Sequence, residues 1–112
     1  MAPQKRVPVI CHLTFPDRIT ADLFGESVLQ ERIGACVQLI PGIESRYLWK
    51  GNVESSHEIL MVIKTFEDHV PALWDLLAKG HPYDVPECVV TQMTDVLPAY
   101  LDWMKKEIPK KP

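Results

Sequence analysis

The segment HPYDVP at 81–86 holds the side chain best placed for chemistry, His81. An imidazole that leaves a helical stretch just ahead of a rigid Pro82–Tyr83 pair is positioned before any ligand arrives, and copper or zinc accepts such a donor. The competing role is structural, with the ring hydrogen-bonding a loop carbonyl and fixing the turn. His12 lies inside an apolar run and suits a satisfied core or interface position, while His57 and His69 read as exposed. Cys11, Cys36 and Cys88 are odd in number and form no CxxC pair, which excludes a disulfide framework and a four-thiolate zinc site. They suit small buried side chains in a reducing compartment. The chain has no P-loop, no GxSxG elbow and no HExxH pair, so the chemistries those motifs serve are not expected.

The 112 residues form one domain, 1–112, with 1–6 and 109–112 as flexible tails. Hydrophobic residues make up 46% and charged residues 24%, which excludes a disordered chain. Ten prolines argue against a long unbroken helix, because an interior proline costs a helix about 3 kcal/mol. The net charge is −3, and the bases near the ends, Lys5, Arg6, Lys110 and Lys111, read as solvated. Without a basic face, nucleic acid is not an expected partner. The N-terminus lacks the apolar core of a signal peptide, and no apolar run approaches the ~20 residues that cross a bilayer. A soluble, cytoplasmic protein without a membrane partner is expected.

The elements that must hold His81 follow from hydrophobic period. Val7 to Thr14 is an apolar, β-branched strand ended by Pro16, and Asp17 or Thr20 caps the helix that follows. Ala21, Phe24, Gly25 and Val28 form that helix's buried stripe, and Gly34 stops it. From Ala35 to Lys50 the period is two, with a bend or bulge at Pro41–Gly42. A turn at Gly51–Asn52 leads into a second long strand, Val53 to Thr65, with Glu54–Ser56 as another place for a bulge. Asp68 caps a second helix with the stripe Val70, Leu73, Trp74 and Leu77, closed by Gly80. Glu87 to Met93 is a fourth strand, and Pro98 opens a third helix with Leu97, Leu101, Met104 and Ile108 on one face.

The order βαββαβ plus a C-terminal helix predicts an α+β, ferredoxin-like split β-α-β fold, an antiparallel sheet with helices on one face. The strand at 35–50 would extend to ~50 Å at ~3.3 Å per residue. A globule of this length is only about 35 Å across, from a radius of gyration of ~13 Å. The hairpin end with Tyr47, Leu48, Trp49 and Val53 should therefore project and be covered by other subunits in a closed ring. Acylphosphatase shares this fold, but 14–18 (TFPDR) has no glycine to let backbone amides wrap a phosphate, so a non-enzymatic role is expected.

Several stretches resemble the CutA divalent-cation-tolerance family: TFPD at 14–17, ERIGACVQLIPGIESRYLWKGN at 31–52, IKT at 63–65, HPYDVPE at 81–87 and YLDW at 100–103. The resemblance implies a homotrimer, similar to the PII signalling proteins, with a role in tolerance of copper and other divalent cations. It implies His81 and Glu58 as metal ligands. Leu13 stands where the family can place a cysteine and Gly80 where it can place a second histidine, which weakens any copper site. It also implies clefts between subunits where Lys64, Tyr47, Trp49, Tyr83 and Trp103 would hold a small anion or a partner protein by charge and stacking. That PII-like binding module is the alternative to weak metal binding; subunit packing is the plainer role for the tryptophans.

Overall fold

The computed structural model describes residues 6–111. Its elements are β1 (Pro8–Phe15), α1 (Arg18–Gln30), β2 (Cys36–Trp49), β3 (Asn52–Phe66), a short 3-10 turn (Glu67–His69), α2 (Val70–Gly80), β4 (Cys88–Gln92) and α3 (Pro98–Glu107). The four strands run antiparallel in the order β2-β3-β1-β4, the ferredoxin-like split β-α-β arrangement. Alternation along β1 sends Val9, Cys11, Leu13 and Phe15 to one face, where they meet Ala21, Phe24 and Val28 of α1 and Leu73 and Leu77 of α2. α3 does not join those two helices. Met104 and Ile108 pack with Phe66, which alternates with Ile63 and Thr65 and so faces the other side of the sheet.

Asp17 caps α1, its carboxylate accepting the Thr20 amide at 2.8 Å. The helix ends at Glu31, and Arg32 takes the left-handed conformation expected of a glycine (φ 56°). Gly34 is needed for space instead: a Cβ there would lie 2.7 Å from Ile63 Cγ2 and 2.9 Å from Val28 Cγ1. The bend at Pro41–Gly42 is a bulge between Ile40 and Ile43, with Gly42 at φ 76°. No second bulge occurs at 54–56, where pairing runs unbroken from Ile43–Glu58 to Trp49–Asn52. The turn sits one residue earlier than expected, on Lys50 and Gly51, both with positive φ, the geometry that continues the strands' twist. The hairpin stretches the molecule to 53 × 26 × 23 Å, with a radius of gyration of 15.2 Å against the ~13 Å of a compact chain.

Part of the expected tails, 1–5 and 112, lies outside the described residues; the rest is anchored. The Arg6 guanidinium donates to both Asp68 carboxylate oxygens at 3.1–3.2 Å and to the Ile108 carbonyl at 2.9 Å, and stacks over Phe66. Asp68 therefore grips the chain ends instead of capping α2, accepting the Lys111 amide as well at 2.9 Å. His69 is buried, not exposed, and bonds the Pro109 carbonyl through Nε2 at 2.9 Å. Trp74, placed on the buried stripe by spacing alone, is 56% exposed, whereas Val70, Leu73 and Leu77 of the same stripe are buried, and Leu97 is exposed just ahead of α3.

Burial alone would push the Asp68 carboxyl up, but the Lys111 amide and the Arg6 guanidinium outweigh it and hold the group below its usual value. A depressed folded value contributes stability above the unfolded carboxylate pKa of about 3.9, and that contribution drains as pH falls through the folded value. Asp68→Asn is expected to lower the unfolding free energy by about 1–2 kcal/mol at pH 7. In an acid series of denaturant melts, the gap to wild type should close below about pH 4.

Candidate functional site

β1 ends at Phe15, paired with Ile59, and beyond that point β3 has only β2 beside it. Glu58 is the first β3 residue past the end of β1. Period two places Glu54, Ser56 and Glu58 on one side of β3, and the register sets Tyr47 opposite Glu54 and Ser45 opposite Ser56. The loop after α2 folds over the gap left by β1. A cleft of about 580 Å³ results, lined by Thr14, Ser45, Tyr47, Trp49, Glu54, Glu58, Pro82, Tyr83, Asp84, Val85 and Glu87.

His81 braces this loop. Its Nε2 lies 2.7 Å from the Thr14 carbonyl oxygen, and its Nδ1 lies 3.1 Å from the Tyr83 amide. A carbonyl only accepts and an amide N–H only donates, so the ring is the neutral, Nε2-protonated tautomer with both nitrogens engaged. The imidazole also packs on Phe15, centroids 4.5 Å apart, and on Tyr83 at 4.9 Å. In this geometry His81 fixes a turn, and a metal would have to displace one of its two hydrogen bonds.

Tyr83 carries the connection to Glu58, its hydroxyl donating to Oε2 at 2.9 Å. Burial first, then this hydrogen bond and the carboxylate's charge, push the Tyr83 phenol well above its ordinary value, so it stays a donor. Glu58 is 8% exposed, and among the described residues no cation lies within ion-pair distance of it. His81 and Glu58 thus belong to one network, joined through Tyr83.

The remaining candidates divide within the chain. Tyr47, Trp49 and Tyr83 line the cleft, whereas Lys64 holds its Nζ 5.5 Å from the Tyr100 ring, and Trp103 stacks on the same ring at 5.2 Å. Glu58 and Lys64 are six residues apart, about 20 Å along a strand. Spacing alone does not reveal Asp84 and Glu87, which only the folded loop brings to Glu58. Glu54 was within reach, since its i, i+4 relation to Glu58 in a strand places both on one face.

A metal fits this donor set poorly. Among the described residues no three His, Cys, Asp or Glu side chains converge on one point. Burial pushes the Cys11 thiol up to about 12, with Cys88 adding to the effect, and burial raises Cys88 as well, so neither offers a ready thiolate.

The model of the CutA1 divalent ion tolerance protein family matches residues 9–107. The chain belongs to that family. The divalent-cation tolerance protein CutA of Salmonella newport is 39% identical over 102 residues, covering 91% of this chain and 87% of that protein. The chloroplastic CutA protein of Arabidopsis thaliana is 38% identical over 102 residues; the match takes in 90% of this chain but spans only 56% of the plant protein. The crystal structure of CutA from Xylella fastidiosa superposes with a TM-score of 0.86 at 39% identity, covering 90% of this chain and 97% of that one. The α+β fold is therefore that of solved CutA proteins. Among the described residues no helix is long and apolar enough to cross a membrane.

His81→Ala removes two hydrogen bonds and two aromatic contacts that close the loop over the cleft. We expect a loss of about 2–4 kcal/mol in denaturant unfolding. Amide exchange should accelerate at Tyr83 while remaining slow at Ile63 in the sheet centre.

Proposed function

We propose that this CutA-family chain works in divalent-cation tolerance as a non-enzymatic cytoplasmic homotrimer that binds divalent ions weakly through Glu58. The observation that carries the metal contact is Glu58 itself, a carboxylate 8% exposed with no ion-pair partner among the described residues, in a cleft that also holds Glu54, Asp84 and Glu87. Oxygen donors of this kind suit hard ions better than copper, which favours nitrogen and sulfur. Under this reading His81 positions Tyr83 and Glu58 and is not a first ligand; a copper site would require it to release Thr14 or Tyr83. The carboxylates also disfavour the alternative of a small anion beside Tyr47, Trp49 and Tyr83, and Lys64 of the same chain lies too far away to offset them.

Support for assembly comes from two surfaces. The hairpin end exposes Tyr47, Leu48, Trp49 and Val53 beyond the chain's own core. The sheet face opposite α1 and α2 carries Ile10, Leu60 and Val62, with Ile40 and Val89 about half exposed, and α3 covers only its Phe66 end. His12 sits mid-strand on that face between Val62 and Val89, an interface position of the kind its apolar neighbours imply.

Light scattering is expected to give about three times the 12.8 kDa chain mass; a monomer at micromolar concentration would contradict the assembly. Titration calorimetry with Mn²⁺ should show a weak isotherm, with a Kd on the order of 10⁻⁴ M or above, that Glu58→Gln abolishes. Parallel Cu²⁺ titrations in which His81→Ala loses binding and Glu58→Gln keeps it would return His81 to the role of ligand.

A further inference from the structure

Two free thiols lie side by side on the helix-bearing face of the sheet. Pairing of β1 with β4 sets Cys11 opposite Val90 and Leu13 opposite Cys88, so the two cysteines are diagonal neighbours. Cys11 is fully buried in the core beneath α1 and α2, and the half-buried Cys88 packs against it. The Met93 amide donates to the Pro8 carbonyl at 2.9 Å. Alternation from that point makes Cys11–Val90 and Leu13–Cys88 non-hydrogen-bonded pairs, the kind whose side chains stand closer. Diagonal neighbours have Cα atoms roughly 7–8 Å apart and Cβ atoms somewhat nearer. A disulfide needs Cβ atoms within about 4.5 Å, so this pair is too wide to close on itself. One ion held between the two sulfurs, with metal–thiolate bonds of about 2.3 Å on each side, fills the gap. Cys36 faces the other way, since its partner Lys64 alternates with Ile63 of the core.

We infer that Cys11 and Cys88 form a two-coordinate site for a soft monovalent cation of the Cu⁺ or Ag⁺ kind. The inference goes beyond the function proposed above, with other residues, another class of ion and no part of the cleft. Both thiols face the helices, away from the hairpin end and the opposite sheet face that assembly would cover. Among the described residues no third His, Cys, Asp or Glu side chain converges with them. A hard divalent ion seeks an oxygen shell of six or more ligands and finds none here, whereas thiolates select Cu⁺. Binding releases both thiol protons and leaves one net negative charge on the ion and its two sulfurs. Burial opposes either thiolate on its own, and Cys88 adds to the effect at Cys11, so only an ion with a strong bond to sulfur displaces the protons. Trp74 eases that cost at Cys88. Its indole N–H can only donate, and the hydrogen bond to Cys88 favours the charged sulfur. The half-exposed position of Trp74 thus has a use that core packing does not supply.

The test is an anaerobic Cu⁺ titration of the intact protein against bicinchoninate, a chelator with which a single thiol competes poorly. Cys36→Ser is present throughout, so that the third thiol takes no part. One Cu⁺ per chain is expected, and X-ray absorption should show two sulfurs and no nitrogen around it. Cys88→Ala, at the half-buried strand edge, and Cys11→Ala, in the core, should each weaken binding at least a hundredfold. The inference is overturned if the chelator keeps all the Cu⁺, if either alanine variant binds as tightly as its Cys36→Ser parent, or if the spectrum shows a histidine nitrogen on the ion. Should Cys11→Ala fail to fold, Cys88→Ala decides the matter alone. The two proposals separate cleanly. Glu58→Gln should leave Cu⁺ binding unchanged, and Cys88→Ala should leave the Mn²⁺ isotherm unchanged. Absence of Cu⁺ binding sinks this inference without touching the carboxylate contact, and absence of Mn²⁺ binding does the converse.

Discussion

β1 is eight residues long, and β3, which it pairs with, is fifteen. That mismatch shapes most of the molecule. From Leu60 to Lys64, β3 is a central strand with neighbours on both sides and helices over one face; from Asn52 to Glu58 it has only β2 for company. The step where the sheet narrows from four strands to two leaves a notch beside Thr14, and the segment after α2 closes it from above. Moving the end of β1 by two residues toward the hairpin tip would fill the notch with backbone and pair Glu58 into the sheet centre. The site is thus a by-product of strand length, with side-chain chemistry added by those residues of β2 and β3 that point into it.

What the sequence reveals follows the reach of each interaction. Strands and helices were legible because period two and period 3.6 are properties of neighbouring residues, and Asp17 announces its helix by the same local rule. The bulge at Pro41–Gly42 was legible because those residues have few other uses. Asp68 as a clasp and His69 in the interior were not, since each depends on a partner distant in the chain. At the site, His81 was legible from its place ahead of the rigid Pro82–Tyr83 pair and Glu58 from resemblance, but their connection through the Tyr83 hydroxyl is a distance in space. The sorting of Tyr47, Trp49 and Tyr83 from Lys64 and Trp103 likewise needed the register.

The two faces of His81 chemistry compete for the same lone pair. A ring nitrogen that accepts an amide hydrogen has no electrons to offer a metal, and the other nitrogen is committed as a donor. Its neighbour Phe15 tightens that commitment, since the ring cannot turn without losing an aromatic contact of 4.5 Å. Carboxylates in the cleft face no such conflict, because each oxygen accepts more than one donor. The ring nitrogens are spent on architecture, while the carboxylate oxygens keep lone pairs to spare.

Arg6 and the Lys111 amide meet at Asp68, and Arg6 also holds the Ile108 carbonyl, so the described chain starts and finishes at nearly one point. Topologically the protein is close to a closed ring, held shut by one carboxylate instead of a peptide bond. A circularly permuted version, joined across that junction by a short linker and reopened at the exposed Lys50–Gly51 turn, would keep every strand pair of the sheet, although the hairpin would lose its covalent tip. Phe66, two residues before Asp68, lies eight residues along β3 from Glu58, about 26 Å by strand rise, so anything attached at either described end departs well away from the cleft.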